Sequence, residues 1–310
     1  MLNGIALVFS LAILALASRF AIKSIEDLTE LTHLSEASVG FAVMSVMTSI
    51  PEIFVAFFSV LHGKPGFSVG DVLGSNVFNI GIVVGILATI GSLKRCSTDL
   101  LTELVDVLFL SSLIPIILVM FGAASSFVGL ALLCIFVFSV YEMVRKRRQP
   151  IFIGNAKTKT VMADKKIVIL KIVVGIALVV TAAEFIIISA SNIASGLGIA
   201  PILIGAKIIA IGTSMPELAL DLTAVRRGRI HLAIGDAIGS NLTNITLVLG
   251  IVLLASPFGT VDLSIFAQIL PFVLITTLIL WRYLTKGGVS QLGGIALIIT
   301  YIVFQATITT

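Results

Sequence analysis

Apolar stretches alternate along the chain with short polar connectors. A bilayer-spanning helix needs about 20 mostly apolar residues. Ten segments qualify: 3–24, 38–61, 69–91, 103–121, 125–144, 167–193, 200–225, 231–255, 263–283 and 291–308. The pattern predicts an all-α polytopic membrane protein with ten transmembrane helices. Two of the segments are not clean. Each carries a proline preceded by hydroxyls and followed by a glutamate, TSIPE at 48–52 and TSMPE at 213–217. A lone carboxylate at membrane depth costs several kcal/mol unless something cationic meets it.

The two interruptions belong to a repeat. Residues 46–87 and 211–252 align without a gap at an offset of 165, with 16 of 42 positions identical. The identities fall on chemistry. They include Thr48/Thr213, Ser49/Ser214, Pro51/Pro216, Glu52/Glu217, Gly70/Gly235, Asp71/Asp236, Gly74/Gly239, Ser75/Ser240, Asn76/Asn241 and Asn79/Asn244. Self-similarity of this kind sets the architecture. The copies cover spans 2–3 and 7–8, an odd number of spans apart, so they cross the membrane in opposite directions. The expected organisation is a first half at 1–144 holding repeat 46–87, a short basic loop at 145–166, and a second half at 167–310 holding repeat 211–252. Two inverted-topology five-helix repeats with broken helices point to a transporter whose site lies at the midplane, where the breaks meet.

Each copy offers an oxygen half-cage. A proline inside a helix removes one N–H and displaces the carbonyl four residues back, so the carbonyls of Ser45 to Met47 and of Ala210 to Gly212 become candidate acceptors. Thr48, Ser49, Thr213 and Ser214 add hydroxyls, and Glu52 and Glu217 add charge. Ser75 and Asn79 are four apart and share a helix face, as do Ser240 and Asn244. Ligands of this type suit hard cations such as Na⁺ and Ca²⁺, the latter taking roughly 6–8 oxygens at about 2.3–2.6 Å. Borderline metals would call for Cys or His, but the three histidines lie near span ends, and Cys96 and Cys134 are far apart. Asp71 and Asp236 sit near the starts of spans 3 and 8, where they serve either the helix dipole or ion entry.

Composition and charge agree with this reading. Hydrophobic residues make up 58% of the chain and charged residues 12%, against about 25% charge in soluble domains. Basic residues gather in 145–166 and in the connections holding Lys94 and Arg95, Arg226 to Arg229, and Arg282 and Lys286. The positive-inside rule then places these connections in the cytoplasm and both termini outside. That rule accounts for the basic loop without nucleic acid. The first segment lacks a basic leader and a cleavage site, so it is expected to be a retained span. No nucleotide loop, catalytic triad or thiol site is present, so no enzyme, resident cofactor or protein partner is implied. A channel would need a filter of repeated carbonyls, and none is visible.

The TSxPE and GSNxxNI motifs resemble the α-repeats of the cation/calcium antiporter superfamily, in its sodium/calcium exchanger branch. The resemblance covers essentially the whole chain. It implies ten helices, ion sites clustered at mid-membrane, and alternating access by sliding of spans 1 and 6 across the rest. It implies that Glu52 and Glu217 bridge the central ions, and that Thr48, Ser49, Ser75, Asn79, Thr213, Ser214, Ser240 and Asn244 complete the sites. The expected function is exchange of Ca²⁺ for Na⁺ in the cell membrane. The alternative is Ca²⁺/H⁺ exchange with the glutamate pair carrying protons. Oxygen ligands also leave Mg²⁺ or Mn²⁺ open, although Mg²⁺ sheds its waters reluctantly.

The chain departs from the family pattern at named positions. Met47 stands where the family has glycine, and could fill space an ion would use. Ser45 could add an oxygen, as could the carbonyl of Ala210. Many members of this branch carry an aspartate where this chain has Asn79 or Asn244, so the centre carries two negative charges. Ca²⁺, or two monovalent ions, or two protons, would neutralise it. Asp221 lies one turn after Glu217 on the same face, and its counterpart is Ala56. It is either an auxiliary ion ligand, a partner of Arg226, or part of the cytoplasmic mouth. Lys207 either snorkels outward, pairs with Glu184, or acts as a tethered cation.

Overall fold

The computed structural model describes residues 2–29, 45–91, 93–94, 96–121, 126–146, 165–256 and 263–308. These residues are helical, joined by short turns. Helix α1 (Leu2–Thr29) is followed by α2 (Ser45–Thr48), α3 (Ile50–Leu61) and α4 (Gly66–Phe78). A π turn at Asn79–Val84 links α4 to α5 (Gly85–Thr89), and α6 (Asp99–Phe121) and α7 (Ser126–Lys146) complete the first half. The second half opens with α8 (Lys165–Leu197) and α9 (Pro201–Ile204), then a π turn at Gly205–Ile209, α10 (Ala210–Thr213) and α11 (Met215–Arg226). It continues with α12 (Ile230–Thr243), a π turn at Asn244–Val248, α13 (Leu249–Ala255), α14 (Leu263–Leu284) and α15 (Gln291–Thr307). Each expected span has helix within it. The start of the second span, 38–44, and loop residues 147–164 lie outside the described residues.

Six helical stretches among the described residues are long and apolar enough to cross a membrane: Asn3–Phe20, Gly66–Thr89, Val173–Leu197, Pro201–Arg226, Ile230–Ala255 and Leu263–Leu284. Large apolar side chains face outward, and a set of carboxylates lies buried within the apolar interior. Val8, Phe9, Phe127, Val137 and Leu292 are exposed, while Glu52, Asp71, Glu217, Asp221 and Asp236 are fully buried. Apolar exposure on this scale marks a lipid-facing surface.

Two helices occupy the centre. Every residue of α4 is buried, as is α12 from Leu232 to Thr243. They enter the core through equivalent turns: α3 and α11 stop at Gly63 (φ 66°) and Gly228 (φ 76°), left-handed positions that suit only glycine without strain. The Lys64 N–H then returns to the Ser59 carbonyl at 2.8 Å, and the Arg229 N–H to that of Ala224 at 2.9 Å.

The apolar core falls into two clusters. The larger spans both halves and includes Leu73, Leu101, Ile238, Phe266 and Phe304. The smaller joins α1 to α8 through Leu7, Leu14, Ala17, Ala183, Ile187 and Ala190. Helices α1 and α8 therefore pack mainly on each other and lie against the rest.

Candidate ion site

The two TSxPE stretches fold alike. Pro51 and Pro216 sit in the first turns of α3 and α11, where a missing N–H is tolerated. Ser49 (φ −77°, ψ 3°) and Ser214 (φ −87°, ψ 4°) leave the helical path just before them, in the sparsely populated bridge region. The prolines deprive the carbonyls of Met47 and Gly212 of their helical donors. The expectation for the neighbouring carbonyls needs correction. That of Ser45 accepts from the Ser49 N–H at 3.2 Å and lies 3.3 Å from the Thr48 hydroxyl. That of Ala210 accepts from the Ser214 N–H at 3.2 Å and lies 3.5 Å from the Ser75 hydroxyl. The break shifts the loss to the carbonyl four residues before each proline. Met47 is half-buried and packs against the larger apolar cluster.

Across each break, a hydroxyl of one repeat meets a hydroxyl and a carboxylate of the other. Thr48 Oγ1 lies 2.9 Å from Ser240 Oγ and 3.4 Å from Asp236 Oδ1. Thr213 Oγ1 lies 3.3 Å from Ser75 Oγ and 2.9 Å from Asp71 Oδ1. Ser75 itself lies 3.4 Å from Asp71. The two corners are chemical copies of each other.

Between the corners stand the glutamates. Glu52 and Glu217 are fully buried, and none of their carboxylate oxygens has a hydrogen-bond partner. The same holds for the hydroxyls of Ser49 and Ser214 and for both amide atoms of Asn79 and Asn244. Helix α11, which carries Glu217, packs against the π turn that begins at Asn79, and α3, which carries Glu52, packs against the one that begins at Asn244. Glu217 lies within electrostatic reach of Glu52, Asp236 and Asp221, and Glu52 within reach of Asp71 and Asp236. Buried polar atoms normally find partners, so this many unpaired atoms set the site apart from the rest of the core. Among the described residues no three carboxylate, imidazole or thiol groups converge as a metal cluster. The oxygens available are mixed, from carboxylate, hydroxyl and amide.

Three readings of the sequence change. Asp71 and Asp236 are not helix-end charges, because α4 begins at Gly66 and α12 at Ile230, and the dipole acts within the first turn. They are fully buried and face the threonines of the opposite repeat. Asp221 is fully buried while Arg226 is exposed, so the two do not pair, and Asp221 does not line a solvent-facing mouth. Lys207 does not meet Glu184. It donates to the Gln305 carbonyl at 2.9 Å, in the last turn of α15 where carbonyls lack helical donors. Glu184 instead faces His62 Nε2 at 3.4 Å.

One contact ties the centre together. The Asn76 amide donates to the Asn241 carbonyl at 3.2 Å, and the Asn241 amide to that of Asn76 at 3.1 Å. Interhelical hydrogen bonds of this kind are worth about 0.6–1.7 kcal/mol in membranes. Asn76→Ala and Asn241→Ala are each expected to lower the melting temperature in detergent, and the double variant to lose less than the sum, because one crossing aligns both bonds. Single variants that melt like the wild type would contradict this.

The described residues define a class: a helical integral membrane protein with paired helix breaks around a buried, oxygen-rich centre. The profile of the family described as "Sodium/calcium exchanger protein" matches residues 3–144 and 167–310, and the chain belongs to that family of antiporting ion transporters. It is 30% identical to "Inner membrane protein YrbG" of Escherichia coli (strain K12) over 261 residues, 81% of this chain and 80% of that protein. It is 25% identical to "Sodium/calcium exchanger MaX1" of Methanosarcina acetivorans over 97% of both chains. The solved sodium-calcium exchanger NCX_Mj, soaked with Na⁺ and Sr²⁺, superposes with a TM-score of 0.72 at 25% identity, covering 99% of each chain.

Proposed function

We propose that the protein exchanges Ca²⁺ for Na⁺ by alternating access, with Glu52 and Glu217 bridging Ca²⁺ at the centre. The observation that carries this reading is the pair of buried glutamates with four unpartnered oxygens, each placed just after a helix break. Two carboxylates with no cation repel each other in a poorly hydrated site, so crossing with the centre empty is unfavourable. One Ca²⁺ or two monovalent ions relieve that repulsion, which couples the two fluxes. The hydroxyl corners, Thr48 with Ser240 and Thr213 with Ser75, are proposed as the Na⁺ positions, with Ser49, Ser214, Asn79 and Asn244 completing the set. Their hydroxyl chemistry favours Na⁺ over protons; the asparagines, being uncharged, are what would favour Ca²⁺/H⁺ exchange. Only the transported ions are needed, with no resident cofactor.

The proposed architecture has ten spans in two inverted halves, 1–144 and 167–310, with both termini outside and 145–166 in the cytoplasm. The moving part is α1 with α8. The apolar cluster between them, rich in alanine, suits sliding. Helix α1 also covers the site, because Leu11 fills the space beside Gly212, next to Thr213.

The test is ⁴⁵Ca²⁺ uptake into proteoliposomes of the purified protein. An outward Na⁺ gradient at fixed pH is expected to drive uptake, and a proton gradient without Na⁺ is not. Uptake driven only by protons would replace this reading with Ca²⁺/H⁺ exchange.

A further inference from the structure

Away from the ion centre, one charged contact joins α8 to the helix it lies against. Glu184 sits within the apolar stretch of α8, and its Oε2 is buried without a hydrogen-bond partner. A carboxylate within a membrane span calls for a cation. Among the described residues the group that reaches it is His62, whose Nε2 stands 3.4 Å from Glu184 Oε1. His62 closes α3, and its Nδ1 lies 2.8 Å from the Phe58 carbonyl oxygen. A carbonyl oxygen only accepts, so Nδ1 carries a hydrogen, and in the neutral ring Nε2 then presents a lone pair. A lone pair facing a carboxylate repels it. The contact therefore needs one proton between the two groups, on the imidazole or on the carboxyl. Both side chains are about one-third exposed, so protons reach them.

No other described charge takes the place of either partner. On α8 the nearest lysine is Lys171, about 20 Å further along the helix and exposed. On α4 the charged residue is Asp71, which is buried at the ion centre and bonded by Thr213. Lys64 follows His62 in the turn to α4, and Arg19 of α1 is exposed. Helix α13 carries no charge. The inverted half lacks the device. At the repeat offset of 165, the counterparts of Glu184 and His62 are Arg19 on α1 and Arg227 after α11, two cations at every physiological pH. Inverted halves exchange roles when access alternates. The opposite arrangement thus brings Arg19 toward Arg227, where like charges repel.

We propose that His62 and Glu184 form a proton-held latch that keeps α8 against α3 in the arrangement described, and that loss of the proton frees α8 to slide. This rests on α1 and α8 being the moving part. The latch acts on one of the two access states, because the equivalent pair in the other half attracts in neither protonation state. Histidine changes charge between about pH 5 and pH 8, so acidification on the side of the 62–65 turn slows exchange.

The test reads the latch apart from transport. Nitroxide labels are placed through Leu197→Cys at the end of α8 and Leu254→Cys on α13, both exposed positions, with Cys96→Ala and Cys134→Ala as background. Pulsed electron resonance in lipid nanodiscs at fixed Na⁺ then gives the populations of the two arrangements. With otherwise native residues, the ratio is expected to shift toward the latched distance by about two- to five-fold on acidification, the strength of a partly exposed ion pair. His62→Gln and Glu184→Gln are expected to lose that response. His62→Arg, a permanent cation, is expected to stay latched at both ends of the pH range, and adding Glu184→Gln to it should release α8 again. Two populations whose ratio ignores pH, or a His62→Gln protein that keeps the full response, would overturn the latch alone and place the titration elsewhere. A single distance in every variant and at every pH, with and without Ca²⁺, would take down the sliding of α8 as well.

Discussion

Glu217→Gln is expected to abolish Na⁺-driven Ca²⁺ uptake and, at the same time, to raise the melting temperature of the ion-free protein. The two effects have one cause. Glutamine keeps the volume and one oxygen but removes the charge. In the proposed function this bridging carboxylate supplies half of the charge that would hold Ca²⁺, and deleting one partner of a buried ion pair costs about 3–5 kcal/mol. That corresponds to an affinity loss on the order of 100-fold or more. Without Ca²⁺, the same carboxylate is a liability. Both its oxygens are buried without partners, and it lies near the charges of Glu52, Asp236 and Asp221. Removing it relieves desolvation and repulsion together. Glu52→Gln is expected to behave the same way, since Glu52 occupies the matching place. Sites shaped for a ligand commonly hold the unliganded protein below its best stability. The measurements are ⁴⁵Ca²⁺ uptake and thermal unfolding in Ca²⁺-free detergent solution. A glutamate that serves only to brace the helices would lower both when replaced, and that outcome would remove Glu217 from the ion centre.

Much of this arrangement was legible in the sequence because it depends on local chemistry written twice. Proline after two hydroxyls predicts a helix break, and the breaks fall at Ser49 and Ser214. The fixed offset flagged every residue that now lines the two corners, and the ten expected ligand residues are all fully buried. What the sequence withheld depends on three-dimensional placement. The π turns at Asn79–Val84, Gly205–Ile209 and Asn244–Val248 have no local signature, since a wider turn uses the same residues as an α-helix. The depth of Asp71 and Asp236 turned on where α4 and α12 begin. Helix boundaries are the least certain part of a sequence reading, and a shift of one turn converts a helix-end charge into a core one. Of the readings of Lys207, the pairing with Glu184 fails because its partner is a backbone carbonyl at the end of a distant helix, and carbonyls carry no residue identity. The repeat did point to Asn76 and Asn241, but only geometry shows that each bonds the other's backbone.

Gly205→Ala and Gly70→Ala are expected to be strongly disruptive single-methyl changes. Here α4 crosses the turn after α9 backbone to backbone. A Cβ on Gly70 would clash with the Ile202 carbonyl oxygen and come within 2.8 Å of the Ala206 nitrogen. A Cβ on Gly205 would clash with the Phe67 carbonyl oxygen and come within 2.9 Å of the Asp71 nitrogen. Small residues at such crossings let membrane helices approach closely. The obstacles are main chain, so no side chain can turn aside, and the helices must part. Overpacking of this kind costs about 1–3 kcal/mol, occasionally more. The cost reaches the ion site because the crossing sets the register between α4 and the Thr213 break. Asp71 adjoins Gly70, and Ser75 adjoins Gly74, whose own Cβ would meet the Ala206 main chain. The Thr213–Asp71 contact of 2.9 Å and the Thr213–Ser75 contact of 3.3 Å leave no slack for a displacement of an ångström. Both variants should therefore lower the melting temperature and weaken Ca²⁺ uptake together. Gly196→Ala, where a Cβ meets nothing within 4 Å, should change neither. A Gly205→Ala protein that melts like the wild type would show that the two helices do not touch through their backbones. The close crossing would then no longer explain how the Thr213 corner is held.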